Sequence, residues 1–447
     1  MNYIDNNDRE LAKKLNIDTN FDVVRKEIGI TKKAIIYFLS SLADSKSVFE
    51  LTYSFLNLES DDLQRQILNG SIALCDDINK AFISVSSGMS AIIYMGKVYI
   101  VETRSYPSRG VSEPDTERTI RGSKDGFTEN IITNIALIRR RIKSEYFYSK
   151  IYSVGESSKC DVVVCAIMDK VNHNMLEKIE KAILNVKVDN LTMSDRKLEE
   201  TLFHQGFNPF PLVRYSERPD VVGAQLLKGH IAIIVDTSSS VIILPTTIFE
   251  HTKHIEEYRQ VSIVGTFIRI LRYFAILISI FLVPIWMLTL NNENFISNIF
   301  VKIDTPNNIP VLLQILLVEL TIEMLRIATI HTPNQLTSAM GLIATLILGQ
   351  MAVEIGWFAS EVLLFSSISS IGGFSTPSYE LSLANKMVKL IFILLVGLFG
   401  GSGFILGLYI FIMYLANMKL FDIPYLYPLY PFDHKELYKV LFRGISK

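Results

Sequence analysis

The chain has 447 residues, 49% of them hydrophobic and 20% charged, with a formal net charge of -1 and a mean hydropathy of +0.30. That is more apolar material than one soluble domain needs, and the near-neutral balance provides no concentrated positive face, which argues against nucleic acid as a partner. Cys75, Cys160 and Cys165 lack CxxC spacing, and so sparse a set suits buried small residues in a reduced compartment better than a disulfide framework.

Met1 to Leu15 is polar and acidic and lacks the order of a signal peptide, so the region that follows is expected to stay in the cytoplasm. Ala34 to Leu39 reads as a strand, and Val48 to Leu58, apolar at spacings of three and four, as a helix. Ala81 to Val85, Ser90 to Tyr94 and Lys97 to Thr103 read as strands, the last two joined by a hairpin turn at Met95-Gly96. A helix is predicted from Thr128 to about Lys143, with Arg139, Arg140 and Arg141 in its last turn, where cations complement the dipole.

A second α/β pattern follows: a strand from Asp161 to Met168 and helices over Asn174 to Val186, Ser194 to His204, and Arg218 to Leu227, the last ended by Gly229. Strands Ile231 to Val235 and Val241 to Leu244 close the unit around the turn Asp236 to Ser240. This predicts an α/β soluble N-terminal region of two small α/β subdomains, 1–145 and 146–262.

Nearly all long apolar runs fall after residue 262. Gly265 to Leu288, Ile309 to Ile330, Leu336 to Trp357, Phe358 to Phe374 and Val388 to Leu415 approach the roughly 20 residues that cross a hydrocarbon core. They define an all-α multi-pass transmembrane bundle over 263–417, followed by a tail, 418–447. Arg269 and Arg272, after Lys253 and Arg259, place the entry of the first segment in the cytoplasm, and the tail's Lys419, Lys435, Lys439, Arg443 and Lys447 place the tail there too. Five crossings would forbid that arrangement. Either the serine-rich Phe358 to Phe374 enters and returns, or one long run breaks in two; four crossings plus one irregular segment is the favoured reading.

Charges inside such segments are costly unless they face protein or water. Glu319, Glu323 and Arg326 are spaced at four and three on one helix face, where Glu323 can pair with Arg326; Glu354 and Glu361 follow. A structural ion pair and a role in an ion pathway are equally compatible with them. Ser366, Ser367, Ser369 and Ser370 suit either an aqueous path or close helix packing, and Gly397, Gly400, Gly401, Gly403 and Gly407 favour packing. The Arg139–Arg141 run is either a solvated helix end or, as the stronger reading, a set of contacts between subdomains or subunits through acidic partners.

No catalytic constellation stands out. Asp236 with Ser238 to Ser240 lacks a GxSxG context and fits a turn. His251 and His254 lack the further ligands a metal needs, and there is no P-loop. No enzyme, cofactor or metal is expected.

Glu319-Leu-Thr-Ile-Glu-Met-Leu-Arg326, Gly349-Gln-Met-Ala-Val-Glu-Ile-Gly356 and Pro377-Ser-Tyr-Glu-Leu-Ser-Leu-Ala384 resemble the GerA family, the A subunits of spore germinant receptors. Asp125-Gly-Phe-Thr-Glu-Asn130, Asn134, Leu137-Ile-Arg-Arg-Arg-Ile142 and Glu217-Arg-Pro-Asp220 agree, and the matches run in order from about residue 30 to Pro431. Gly122-Ser-Lys-Asp125 departs from the family's Gly-Pro-Arg-Glu, which, with Tyr106-Pro, Ser112-Glu-Pro-Asp115 and Leu244-Pro-Thr-Thr247, points to a paralogous branch.

The resemblance implies a cytosolic (spore-core) region, residence in the spore (forespore) inner membrane, and assembly into oligomers that conduct ions during germination, while a separate membrane subunit recognises nutrients. The expected partners are further copies of the chain, other spore-membrane germination proteins, membrane lipid, and monovalent cations as permeant ions. Leu336 to Trp357 and Phe358 to Phe374 are the expected path, with Leu363 or Leu364 as a hydrophobic gate. A non-conducting scaffold that organises germination proteins is the alternative.

Overall fold

The computed structural model describes residues 2–28, 33–56, 72–105, 121–186, 194–203, 205–291, 309–331 and 351–442, with Pro114, Glu117 and Thr119. The chain divides into two compact units, one of residues 1–206 and 213–245, the other of 207–212 and 246–447.

The first unit holds two five-stranded sheets. Helix α1 (Asn2–Leu15) leads into strands β1 (Val23–Ile28) and β2 (Ala34–Leu39), helix α2 (Ser45–Leu56), β3 (Ile72–Cys75), helix α3 (Ile78–Ser86), β4 (Ser90–Tyr94) and β5 (Lys97–Val101). The strands lie in the order β1-β2-β4-β5-β3, antiparallel throughout. The β4–β5 hairpin turns on Met95 and Gly96, both at positive φ, with Tyr94 facing Lys97; two such residues match the twist that a two-residue hairpin requires.

The expected strand Ala81 to Val85 is instead part of helix α3. A run of five apolar residues is ambiguous by periodicity, and here Asp77 decides it by accepting a hydrogen bond from the Asn79 amide as N-cap. Ala81, Phe82 and Val85 then share a buried face over the sheet with Leu11 and Leu15 of α1.

Helix α4 (Ile131–Arg139) is shorter than predicted because Asn130 caps it, accepting from the Thr133 amide. Strands β6 (Phe147–Val154) and β7 (Cys160–Ile167), helices α5 (His173–Leu184) and α6 (Ser194–Phe203), β8 (Arg214–Ser216), helix α7 (Pro219–Leu226), and strands β9 (Ile231–Val235) and β10 (Val241–Leu244) follow. Their order is β6-β7-β9-β10-β8. Numbered from its own first strand, each sheet therefore reads first, second, fourth, fifth, third, and α7 occupies in the second the place α3 has in the first. The first unit is one topology used twice. Helix α4 lies between the repeats: Ala136 joins the core of the first, while the Ile131 amide donates to Asp236 of the second.

The second unit is helical. After α8 (Ile248–Thr252) and α9 (Ile255–Arg259) come α10 (Ser262–Asn291), α11 (Val311–His331), the single turn α12 (Ala352–Glu354), α13 (Ser360–Phe374) and a long apolar run, α14 (Tyr379–Asn417). Among the described helices, α10 and α14 are long and apolar enough to cross a membrane. A short ribbon of β11 (Lys419–Leu420) and β12 (Ile423–Pro424) and helix α15 (His434–Leu441) complete the tail. Most of the expected segment Leu336 to Trp357 lies outside the described residues.

The run read as one segment, Val388 to Leu415, is two arms. At Gly400 φ is +59° and ψ is -135°, a conformation open essentially to glycine alone. The chain reverses there. The Phe392 and Phe411 rings lie 6.2 Å apart, whereas a continuous helix at 1.5 Å per residue would separate them by roughly 28 Å. A Cβ on Gly403 would stand 2.1 Å from the Leu395 carbonyl oxygen, so the arms meet at backbone distance.

Helices α11 and α13 both run against α10. Phe365 of α13 stacks on Trp286 near the end of α10 at 4.6 Å, and Gly372 lies against Ala275, so α13 runs against α10. Gln314 of α11 accepts from the Ala359 amide, while Arg326 sits over the Tyr379 ring, so α11 runs parallel to α13. At the start of α10, Arg269 bonds Glu257 of α9 at 2.8 Å and donates to the carbonyls of Lys439 and Val440 in α15. Helix α15 of the tail thus packs where the first long helix begins.

Candidate functional site

Helix α11 carries Glu319, Glu323 and Arg326, and α14 faces it with Lys386 and Lys389 one turn apart. Glu319 is fully buried. Its Oε2 takes both lysines, Lys389 at 2.6 Å and Lys386 in a shorter contact. Lys389, 2% exposed, also donates to the Ser369 hydroxyl at 3.0 Å, and that hydroxyl donates to the Ser279 carbonyl at 2.9 Å. Four helices are thereby tied through one carboxylate.

Arg326 bonds Glu323 with its Nε at 2.9 Å, reaches Ser382 at 3.3 Å and covers the Tyr379 ring at 5.2 Å. The set borders a partly open cavity of about 20 Å³, lined among others by Ser279, Glu323, Arg326, Ser370, Lys386 and Lys389. That is room for one water-sized species. Glu319 Oε1, Ser366 Oγ and Ser370 Oγ are buried without a hydrogen-bond partner among the described residues.

The other expected polar residues stand apart. Glu354 is exposed on α12, and Glu361, in the first turn of α13, has a buried Oε2 without a partner among the described residues. Leu363 packs into the apolar core around Trp286, while Leu364 is half exposed. His251 is buried against Tyr425, and His254 caps α9 by accepting from the Glu256 amide.

In the first unit, Arg139 is buried against Asp22, with Phe147 under its guanidinium at 4.4 Å. Arg141 pairs with Asp125 at 2.6 Å, and Arg140, at the C-cap of α4, is exposed.

Sequence reasoning missed Lys386 and Lys389, the two partners of Glu319. Their signal was present: Lys389 falls inside the apolar run that begins at Val388, and the two lysines share one helix face at a spacing of three.

This chain belongs to the GerA family, since the model of the Bacillus/Clostridium GerA spore germination protein matches residues 9–446. Stage V sporulation protein AF of Bacillus subtilis (strain 168) is 43% identical over 98% of this chain and 92% of its own, which is the branch that Gly122-Ser-Lys-Asp125 pointed to. Spore germination protein KA of the same organism is 28% identical over 96% of this chain and 82% of its own, and spore germination protein A1 is 27% identical over 92% and 87%. The crystal structure of the N-terminal domain of the A subunit of the Bacillus megaterium spore germinant receptor GerK3 is 25% identical, covering 53% of this chain and 92% of that one with a TM-score of 0.39.

Proposed function

We propose that this chain is a multi-pass protein of the spore inner membrane, an ion-channel subunit of a homo-oligomer that triggers or amplifies ion release in germination alongside other germination proteins. Its soluble half lies on the cytoplasmic, spore-core side. The observation that carries the reading is the sidedness of the helical unit: Phe267, Phe274, Leu320, Ile371, Ile391 and Ile405 are exposed and apolar, while Glu319 and Lys389 turn inward. Helices that present apolar faces outward and charges inward suit lipid as solvent.

Counting the arms on either side of Gly400 separately turns the five apolar segments into six. An even number returns the tail to the side on which α10 starts, in keeping with the contacts of Arg269 with Lys439 and Val440 and with the basic residues of both regions. Ser366 and Ser370 on α13, both buried among the helices of one chain, are the polar groups the proposed path would use, with monovalent cations as the permeant species.

Potassium efflux from liposomes holding the purified chain, alone and with candidate germination partners, is the test, beside a variant with tryptophan at Ser366 and Ser370. Flux that the assembled variant lacks supports conduction by this chain. Absence of flux from a well-assembled complex in every combination supports the scaffold reading, which one observation favours: Glu319, Lys386 and Lys389 bond one another within one chain.

A further inference from the structure

The charges around the α11–α13–α14 cavity do not cancel. Arg326 is matched by Glu323, but Lys386 and Lys389 share the one carboxylate of Glu319. Among the described residues, three cations against two carboxylates leave one positive charge in a largely apolar helical unit, where an uncompensated ion costs several kcal/mol. No ionisable side chain occurs among residues 332–350, which join α11 to the next described turn, so that stretch cannot supply the missing carboxylate.

The cavity lies beside the surplus charge. Lys386, Lys389 and Arg326 line it, and so does the Ser370 hydroxyl, which is buried and unpartnered among the described residues. A hydroxyl and an ammonium proton are the donors a small anion takes, and a volume of about 20 Å³ suits one water-sized species.

We propose that this cavity binds one halide-sized monovalent anion, chloride in the cell, held by Lys386, Lys389 and the Ser370 hydroxyl. The anion neutralises the lysine pair and lets α11, α13 and α14 close around Glu319. Glu323, on the cavity wall, is kept from repelling it by its pairing with Arg326. The site is independent of whether the oligomer conducts cations, because the charge imbalance belongs to a single chain.

The test is equilibrium binding of radioactive chloride to the full-length protein in detergent, at constant ionic strength set with gluconate. Saturable binding near one ion per chain is expected, accompanied by a rise in melting temperature when gluconate is exchanged for chloride. Ser370→Val fills the cavity without removing a bonded group and should weaken chloride at least tenfold while melting like the parent in gluconate. Lys386→Met leaves Glu319 and Lys389 as a neutral pair and should abolish both the binding and the chloride-dependent rise. Absence of saturable chloride binding, or binding undiminished in folded Ser370→Val and Lys386→Met proteins, would overturn the site; because the readout is binding in detergent, it is separate from the flux result that tests conduction.

Discussion

Arg139 grips Asp22 with two parallel hydrogen bonds, Nε to Oδ2 at 3.0 Å and Nη2 to Oδ1 at 2.7 Å, and both side chains are sealed from solvent. Asp22 precedes the first strand of the first repeat, and Arg139 ends the helix lying between the repeats, with Phe147 of the second beneath its guanidinium. The pair fastens one copy of the topology to the other. Ser149 and Asn20 complete the polar set around it.

Breaking that pair from one side strands a buried charge, so Arg139→Met or Asp22→Asn should each cost about 3–5 kcal/mol. The double variant should cost clearly less than the sum. Arg139→Lys should restore little, since an ammonium cannot make the two parallel bonds. Chemical unfolding of the full chain, followed by hydrogen exchange at β1 and β6, measures all four; additive single effects would sink the coupling.

Gly400→Ala should destabilise the helical unit by about 1–3 kcal/mol, because φ +59° with ψ -135° is closed to a residue with a Cβ. Gly401 is the control: a Cβ there meets nothing within 4 Å, and its φ is ordinary. Melting in detergent should therefore drop for Gly400→Ala and hardly move for Gly401→Ala. Equal effects would mean that the reversal is not held by Gly400.

How far the sequence could be read follows contact range. The Met95-Gly96 hairpin and the Glu323–Arg326 pair are local patterns and stand where the spacing placed them. Strand β6 was not read, because its burial breaks strict alternation over Phe147–Ser149, all buried, and at Lys150 and Ile151, both exposed, and only pairing with β7 along its whole length defines it. The repeat of the two sheets was invisible for the same reason: strand order is long-range. In the site, Lys386 lies 67 residues from Glu319, beyond any periodicity argument, and the break at Gly400 depends on a φ that composition does not display in a run already rich in glycine.

Glu319→Gln removes the carboxylate that, among the described residues, Lys386 and Lys389 share, and should destabilise the helical unit by about 3–5 kcal/mol, the range for an unpaired buried charge. Adding Lys386→Met should recover part of the loss. A double-mutant cycle on detergent melts measures the coupling; a cycle that closes with no interaction energy would mean that the carboxylate does not hold these helices.

Acid should act on the first unit in two opposing steps. Burial pushes Glu199 above the ordinary glutamate value of 4.5, although the Tyr215 hydroxyl and Arg196 oppose the shift. The folded chain therefore takes up this proton before the unfolded chain does. The buried charge destabilises the fold at neutral pH, and that penalty is relieved as pH falls through the raised value toward 4.5. Asp8 has the opposite sign: burial alone would raise it, but hydrogen bonds from Arg25 and Tyr37 outweigh that and hold it below 3.8. Its contribution is present above about 3.8 and is lost as pH drops further. Glu199→Gln, whose amide oxygen can still accept from Tyr215 and Arg196, should melt a few degrees higher than the parent at pH 7 and lose the gain in stability on mild acidification, while keeping the later loss below pH 3.8. Melting curves of parent and variant from pH 7 to 3 decide it: a variant no more stable at pH 7, with the parent's acid profile unchanged, would show that Glu199 carries no such penalty.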